Sequence, residues 1–212
     1  MAVPALSAPL AVTLWLLPLL ALVAFLYAAV GHAGASGYIA VLALAGLPAE
    51  QIKPLALILN IAVAAQGSWQ FWRAGHLRWR LFWPVLLAGL PMAFLGGWLD
   101  LPTLWFQRLV ALVLLASALR FLGQPGDPKR LTQPPLTLLV LSGAGLGLLA
   151  GLTGTGGGVF LTPLLLGCSW ASTRQAAAVS SLFIFGNSLS GLAGLLLARQ
   201  PSGALLPALP AQ

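Results

Sequence analysis

The fold is decided by the stretch Gly151-Leu-Thr-Gly-Thr-Gly-Gly-Gly-Val-Phe-Leu-Thr-Pro163, which separates the apolar segments Leu136–Ala150 and Val159–Gly167. Glycine disfavours the interior of an α-helix by about 1 kcal/mol relative to alanine and adopts positive φ angles readily. So many glycines in succession therefore predict that a helix ends here and that a short half-helix begins, rather than one continuous helix.

The amino-acid composition indicates that this chain folds in a lipid bilayer. Of the 212 residues, 59% are apolar and only 6% are charged, whereas a soluble domain carries about 25% charged residues. This excludes a soluble enzyme, a nucleic-acid-binding protein and a disordered chain. Eight of the ten basic residues lie outside the apolar stretches, where membrane topology explains them without a nucleic-acid partner. The sequence predicts an all-α integral membrane protein.

Six apolar stretches are candidates for membrane spans, which need about 20 residues each. They are Leu10–Val30, Pro54–Trp72, Leu81–Leu99, Leu104–Phe121, Leu136–Ala150 and Gln175–Ala198. Two further apolar pieces, Tyr38–Leu47 and Val159–Gly167, each follow a glycine-rich patch. As helices of about ten residues they would measure only ~15 Å. We therefore predict about six transmembrane helices and two glycine-rich discontinuous or re-entrant elements.

The distribution of basic residues predicts the orientation of the spans. Two loops, 73–80 and 120–130, contain three basic residues each and are assigned to the cytoplasm. Counting spans from these loops places the N-terminus in the cytoplasm as well. The same count places the linkers around Lys53 and at Ser169–Arg174 outside, and Arg199 inside.

An internal repeat relates the two glycine-rich patches. Gly31-His-Ala-Gly-Ala-Ser-Gly37 recurs as Gly151-Leu-Thr-Gly-Thr-Gly-Gly157, with glycines matching at an offset of 120. We divide the chain into a first repeat (1–122, four spans and a half-helix), a loop (123–135) and an incomplete second repeat (136–212, two spans and a half-helix). An even number of spans per unit predicts two copies of the same orientation. The second copy is expected to be shortened, and a symmetric partner protomer could then shield its glycines.

The motifs favour a site for a small anion. Successive free backbone amides form an anion-binding concavity, and the N-terminus of a half-helix adds a partial positive charge. Glu50, Asp100 and Asp127 all fall in loops, so no carboxylate is predicted inside the membrane for a metal or sodium ion. The candidate substrate-binding residues are Gly34, Ser36, Gly37, Asn60, Thr153, Gly154, Thr155, Gly156, Gly157, Gly158, Ser180, Ser181 and Asn187.

Several residues also allow a structural interpretation. Gly143 and Gly147 form a ladder of small residues, which predicts close helix packing. Asn60 and Ser180 could serve as interhelical hydrogen-bonding groups. His32 is a candidate for proton coupling, and a structural hydrogen bond is the alternative. Without a catalytic acid, triad or metal cluster, the sequence predicts no enzyme, no cofactor and no metal site.

The motif around Gly154 resembles the Gly-x-Gly-Gly-Gly…Pro-Leu motif of the TauE/SafE sulfite exporter family. Ser180-Ser181 and Asn187-Ser-Leu-Ser-Gly191 resemble the span that follows in that family. The resemblance implies a multi-pass transporter in a bacterial-type inner membrane that moves sulfite, sulfonates or related sulfur-containing anions. Two alternatives stay open: a non-transporting membrane scaffold or accessory subunit, and an anion channel.

Overall fold

The computed structural model describes residues 7–29, 33–99, 101–122, 128 and 130–199. These residues form eight helices and no strand. The helices are α1 (Ser7–Ala29), α2 (Ala35–Leu44), α3 (Ala49–Arg73), α4 (Trp79–Trp98), α5 (Thr103–Leu122), α6 (Leu136–Thr153), α7 (Gly158–Gly167) and α8 (Thr173–Ala198).

Among the described residues, four stretches are long and apolar enough to cross a membrane: Glu50–Arg73, Trp79–Trp98, Leu136–Thr153 and Thr173–Ala198. They belong to α3, α4, α6 and α8 and match four of the six predicted spans. The other two predicted spans correspond to α1 and α5. The all-helical prediction is confirmed for the described residues, whereas the count of six transmembrane helices stays a prediction.

Helices α4, α6 and α8 pack through glycines. Gly147 of α6 faces Gly89 of α4, and a Cβ atom at Gly147 would lie 2.6 Å from the Cα atom of Gly89. Gly143 faces Val85 in the same way, with 2.8 Å between such a Cβ and the Val85 Cα. Backbones that approach this closely leave no room for a side chain. The predicted packing role of Gly143 and Gly147 is therefore confirmed.

The two short helices are built alike. Each has ten residues and begins directly after a glycine in the left-handed conformation, Gly34 (φ 91°) for α2 and Gly157 (φ 78°) for α7. Each ends in the same hydrogen-bonded turn, from Leu47 N to Leu42 O (3.1 Å) and from Trp170 N to Leu165 O (2.8 Å).

These matching positions support the internal repeat but change its register. Gly34 and Gly157, which precede the two helices, are 123 residues apart in the sequence. Leu42 and Leu165, whose carbonyls accept the bonds of the closing turns, are also 123 residues apart. The predicted offset of 120 is therefore wrong for the short helices. The predicted alignment matched the glycines of the two motifs by their spacing alone. In the structure, the left-handed glycine directly before each helix sets where that helix starts.

The direction of α8 is fixed by hydrogen bonds at both ends of the bundle. We call the end that contains the α3–α4 connection (residues 74–78) the hairpin end. There, Arg78 Nη1 donates to the carbonyl oxygen of Trp170 (2.9 Å), just before α8 begins. At the opposite end, Arg199 Nη2 donates to the carbonyl oxygen of Glu50 (2.8 Å), in the first turn of α3. Helix α8 therefore runs antiparallel to α3.

Helices α6 and α7 form a hairpin that begins and ends on the same side of the bundle. The segment before α6 lies beside the segment after α7, because Thr132 N donates to the carbonyl oxygen of Ser169 (2.8 Å). Helix α6 runs parallel to α4 from the hairpin end, since Val85, Gly89 and Ala93 face Gly143, Gly147 and Gly151 in order. Helix α7 then brings the chain back to the hairpin end.

This geometry corrects the predicted topology. The prediction placed Ser169–Arg174 on the side opposite Arg78, and Arg199 on the same side as Arg78. The hydrogen bonds show the reverse arrangement. The prediction treated α6 as a complete crossing, whereas α7 returns the chain before α8 starts. The two copies are consequently inverted rather than similarly oriented, which is a common arrangement of repeats in transporters.

Candidate functional site

The centre of the candidate site is the break between α6 and α7. Helix α6 ends at Thr153 and α7 begins at Gly158, so the predicted interruption is confirmed. Between them, Gly154 (φ 78°), Gly156 (φ 70°) and Gly157 (φ 78°) are all left-handed. That conformation costs an L-residue with a side chain roughly 1–2 kcal/mol. The glycines are thus required by the backbone path itself.

Within the described structure, the break leaves backbone amides at the start of α7 without a carbonyl partner. The amide of Gly154 donates to the carbonyl oxygen of Ala150 (2.8 Å), and that of Phe160 donates to Gly157 (3.2 Å). No carbonyl in the described part of the chain accepts a hydrogen bond from the amides of residues 156–159. These residues are buried. Unpaired amides at a helix N-terminus carry the positive end of the helix dipole.

Two long helices bring side chains to the break. Asn60 of α3 donates from Nδ2 to the carbonyl oxygen of Gly154 (3.1 Å). A Cβ atom at Gly156 would lie 3.2 Å from Ser188 Oγ and 3.3 Å from Asn60 Nδ2. Both side chains are fully buried. The inverted helices α3 and α8 therefore meet at Gly156, each with one polar side chain.

Buried polar atoms without partners are concentrated here. Asn60 Oδ1, both polar side-chain atoms of Asn187 and Ser188 Oγ have no hydrogen-bond partner within the described structure. Leaving one such atom unsatisfied costs about 1–3 kcal/mol, so folded proteins rarely keep several together without a ligand or water. Asn187 lies directly before Ser188 and packs beside Gly89 of α4. Asn60, Asn187 and Ser188 together hold four of the five buried side-chain atoms without partners in the described part of the chain.

Four other predicted donors are already engaged inside the protein. Thr153 Oγ1 donates to the carbonyl oxygen of Leu149 (2.6 Å) and lies 2.9 Å from Thr155 Oγ1. Ser180 Oγ accepts from Thr162 Oγ1 (2.8 Å), and Ser181 Oγ donates to the carbonyl oxygen of Ala64 (3.3 Å). The two threonines bond at the end of α6, Ser180 joins α8 to α7, and Ser181 joins α8 to α3.

The first glycine motif lies against α1 and contributes differently. Ser36 Oγ is 2.9 Å from Tyr27 Oη, Gly37 packs against Val23, and Gly34 lies against the Tyr38 ring. Its neighbour Ala33 packs with Ala64 and Ile184, and Ile184 contacts Gly156 and Gly158. Ile184 therefore lies against the second motif and in one buried cluster with Ala33, next to the first. His32, the candidate for proton coupling, lies outside the described residues.

Three polar residues near the motifs were missed by the sequence analysis. Ser188 directly follows Asn187, so their adjacency could have indicated it. Tyr38 has a buried, unpartnered hydroxyl beside Gly34. Lys53 was assigned to a linker, but it is only 7% exposed in α3, and its Nζ donates to the carbonyl oxygens of Gly96 (3.1 Å) and Gly97 (3.2 Å). Lys53 precedes Asn60 by two helical turns, and that spacing puts both on one face of α3.

Nothing in the described chain is arranged as a metal centre: no three His, Cys, Asp or Glu side chains come together there. The arrangement at the break offers amide donors, a hydroxyl and carboxamides. Groups of this kind can donate several hydrogen bonds to one anion.

Comparison with known proteins gives a family and a relative for this chain. Residues 16–211 match the family model described as "Sulfite exporter TauE/SafE". The chain is 40% identical over 177 residues to the "Probable membrane transporter protein y4hK" of Sinorhizobium fredii, covering 81% of this chain and 72% of that relative. No solved structure matches the chain. Together with the apolar helices, these matches identify a multi-pass membrane transporter. The chain belongs to the TauE/SafE sulfite exporter family.

Proposed function

We propose that this transporter moves a small oxyanion of the sulfite or sulfonate class and binds it at the α6–α7 break. The observation that carries the proposal is the set of unpaired amides of residues 156–159 beside the buried, unpartnered hydroxyl of Ser188. The unpartnered carboxamide of Asn187 belongs to the preceding residue of α8. Donors fixed in a buried site stabilise negative charge strongly because they need no reorganisation.

The sign of the ligand follows from the groups that surround the break. The atoms nearest to Gly154, Gly156, Gly157 and Gly158 belong to carboxamide, hydroxyl, aliphatic and aromatic groups and to main-chain carbonyls, and no carboxylate is among them. Glu50, the one acidic side chain in the described residues, is exposed in the first turn of α3. A cation would lack a counter-charge at this place.

Sulfite and sulfonates suit this donor set by their chemistry. Each presents three oxygen atoms around one sulfur, so one group can accept several hydrogen bonds from different directions. The amides would bind oxygens from the α7 side, and Ser188 and Asn187 Nδ2 from the α8 side. The match to the sulfite exporter family supports this substrate class.

We further propose a placement in a bacterial-type inner membrane with the hairpin end in the cytoplasm. Arg73, Arg78 and Arg80 all lie at that end, and cytoplasmic loops carry the excess of basic residues. In this placement the α6–α7 hairpin is re-entrant from the cytoplasm, and the break lies inside the membrane.

The test is the flux of labelled sulfite and of a labelled alkyl sulfonate into proteoliposomes. We expect the unmodified chain to move at least one of them and Ser188→Ala to reduce the rate about tenfold, close to the free energy of one hydrogen bond to a charged group. Ser190→Ala is the matched control, because Ser190 Oγ on the same helix donates to the carbonyl oxygen of Leu90 (2.6 Å) instead.

Two results would count against the proposal. Folded protein that moves neither anion would favour the scaffold interpretation. If Ser188→Ala and the unmodified chain transported sulfite at equal rates, the chain would be a transporter, but its binding site would not lie at the break.

A further inference from the structure

The seam between α3 and α8 contains two polar layers separated by one apolar side chain. The first layer is Asn60 and Ser188 at Gly156. The second is Ser181, whose hydroxyl donates to the carbonyl oxygen of Ala64 (3.3 Å) and lies 3.4 Å from Ser68 Oγ. Ile184 lies between them on α8, about one helical turn from each serine.

Ile184 closes this interval tightly. It is 2% exposed. A Cβ atom at Gly156 would lie 2.6 Å from its Cγ2, and one at Gly158 would lie 2.5 Å from its Cγ1. On the other side, Ile184 packs with Ala33 and Ala64. The side chain thus fills the space between the second glycine motif and the seam.

The same side chain lies in one cluster with residues of both repeats. Gly156 and Gly158 belong to the α6–α7 break, whereas Ala33 directly precedes Gly34, which starts α2. A movement of either short helix would therefore change the space around Ile184. A substitution of Ile184 therefore changes the packing at the place where the two inverted repeats meet.

We infer that the anion path runs along the α3–α8 seam and that Ile184 is its gate. This inference rests on the proposed anion transport and adds a route and a gating residue to it. An anion bound in the first layer would reach Ser181, Ser68 and the hairpin end only after Ile184 moves aside. An apolar constriction blocks a hydrated anion because the ion would have to lose water without gaining hydrogen bonds.

Cysteine labelling can test the route independently of transport. The exposed Cys168 is first replaced by serine, and Ser181→Cys is introduced. Ser181 lies on the hairpin-end side of Ile184, because α8 starts at that end. A membrane-impermeant, anionic methanethiosulfonate reagent should label this cysteine from the hairpin end. From the opposite end, labelling should be about tenfold slower.

Removing the gate should abolish this asymmetry. With Ile184→Ala added, the cysteine at 181 should react from both ends at similar rates. Leu165→Ala is the matched control, because Leu165 is also fully buried in the α7–α8 core but does not lie on the seam. Equal labelling from both ends while Ile184 is present, or an asymmetry that survives Ile184→Ala, would overturn the inference.

Flux measurements separate the gate from a role in folding. Ile184→Phe should reduce sulfite flux about tenfold, while sulfite still protects a cysteine at Ser188 from the reagent. Ile184→Val should transport nearly as well as the unmodified chain. If Ile184→Phe does not fold, the comparison of Ile184→Ala with Leu165→Ala decides by labelling alone.

The failure of this inference differs from that of the proposed function. If neither sulfite nor the sulfonate is transported but labelling at 181 has the expected asymmetry, the substrate class is wrong and the gate stands. If sulfite is transported but the cysteine at 181 reacts from neither end, the route is wrong and the substrate stands.

Discussion

The guanidinium group of Arg78 donates a 2.9 Å hydrogen bond to the main-chain carbonyl oxygen of Trp170. This bond joins the α3–α4 connection to the short segment between α7 and α8. Both segments therefore lie at one end of the bundle, and α8 must start from that end. The orientation of the second repeat follows from this one relationship, together with the bond from Arg199 to Glu50 at the other end.

Thiol labelling in cells should detect this orientation. In a Cys168→Ser background, cysteines placed at Arg80 and at Arg174, both exposed, should react with an impermeant reagent from the same side of the membrane. A cysteine at Arg199 should react from the opposite side. The measurement compares intact cells with permeabilised cells. If positions 80 and 174 reacted from different sides, the hairpin of α6 and α7 would be refuted.

The glycine contacts between α4 and α6 give a prediction about stability. Gly147→Ala should destabilise the protein by roughly 1–3 kcal/mol, because its Cβ would lie 2.6 Å from Gly89 Cα. Gly145→Ala is the control on the same helix, since no atom of the described structure lies within 4 Å of a Cβ there. The measurement is the apparent melting temperature in detergent. Equal melting temperatures for the two variants would contradict the packing role.

The positions of the helices could be predicted from the sequence because burial in lipid demands long apolar stretches. Pro54–Trp72 and Gln175–Ala198 agree with α3 and α8 to within a few residues at most ends. The break was equally predictable, because left-handed backbone favours glycine. It covers Gly154–Gly157, whereas Gly158, which was predicted to belong to it, is the first residue of α7.

The direction of α8 could not be predicted in the same way. A glycine-rich break indicates that a helix ends, but the sequence does not tell whether the chain then continues across or turns back. The decisive contacts are made by Arg78 and Arg199 with main-chain carbonyls, which leave no pattern in composition. The burial of Lys53 was missed for a related reason: its partners are carbonyl oxygens of α4 that no residue type identifies.

Lys53 should contribute to the stability of the bundle through α4. Its ammonium group donates to the carbonyl oxygens of Gly96 and Gly97 in the last turn of α4, where a positive charge also complements the helix dipole. Lys53→Met should lower the stability by about 1–3 kcal/mol, measured as thermal unfolding in detergent without substrate. Arg199→Met is the control: its hydrogen bond is exposed, and its loss should cost about 0.5 kcal/mol or less. A Lys53→Met protein as stable as the control would show that the α4 carbonyls need no cap.

The last prediction separates backbone strain at the break from ligand binding. Gly157 and Gly75 are both left-handed, with φ of 78° and 71°, so alanine at either position should cost roughly 1–2 kcal/mol of strain. They differ in their surroundings. A Cβ at Gly157 would lie 3.0 Å from the Leu146 carbonyl oxygen and from the Phe183 ring, whereas nothing lies within 4 Å at Gly75. We therefore expect Gly75→Ala to keep sulfite binding and Gly157→Ala to lose it in the protein that still folds, since the amides at the start of α7 would be displaced.

The measurement is protection of a cysteine at Ser188 by sulfite, made on the monodisperse fraction of each variant in the Cys168→Ser background. Protection retained in Gly157→Ala would show that the geometry of this glycine is needed for folding alone.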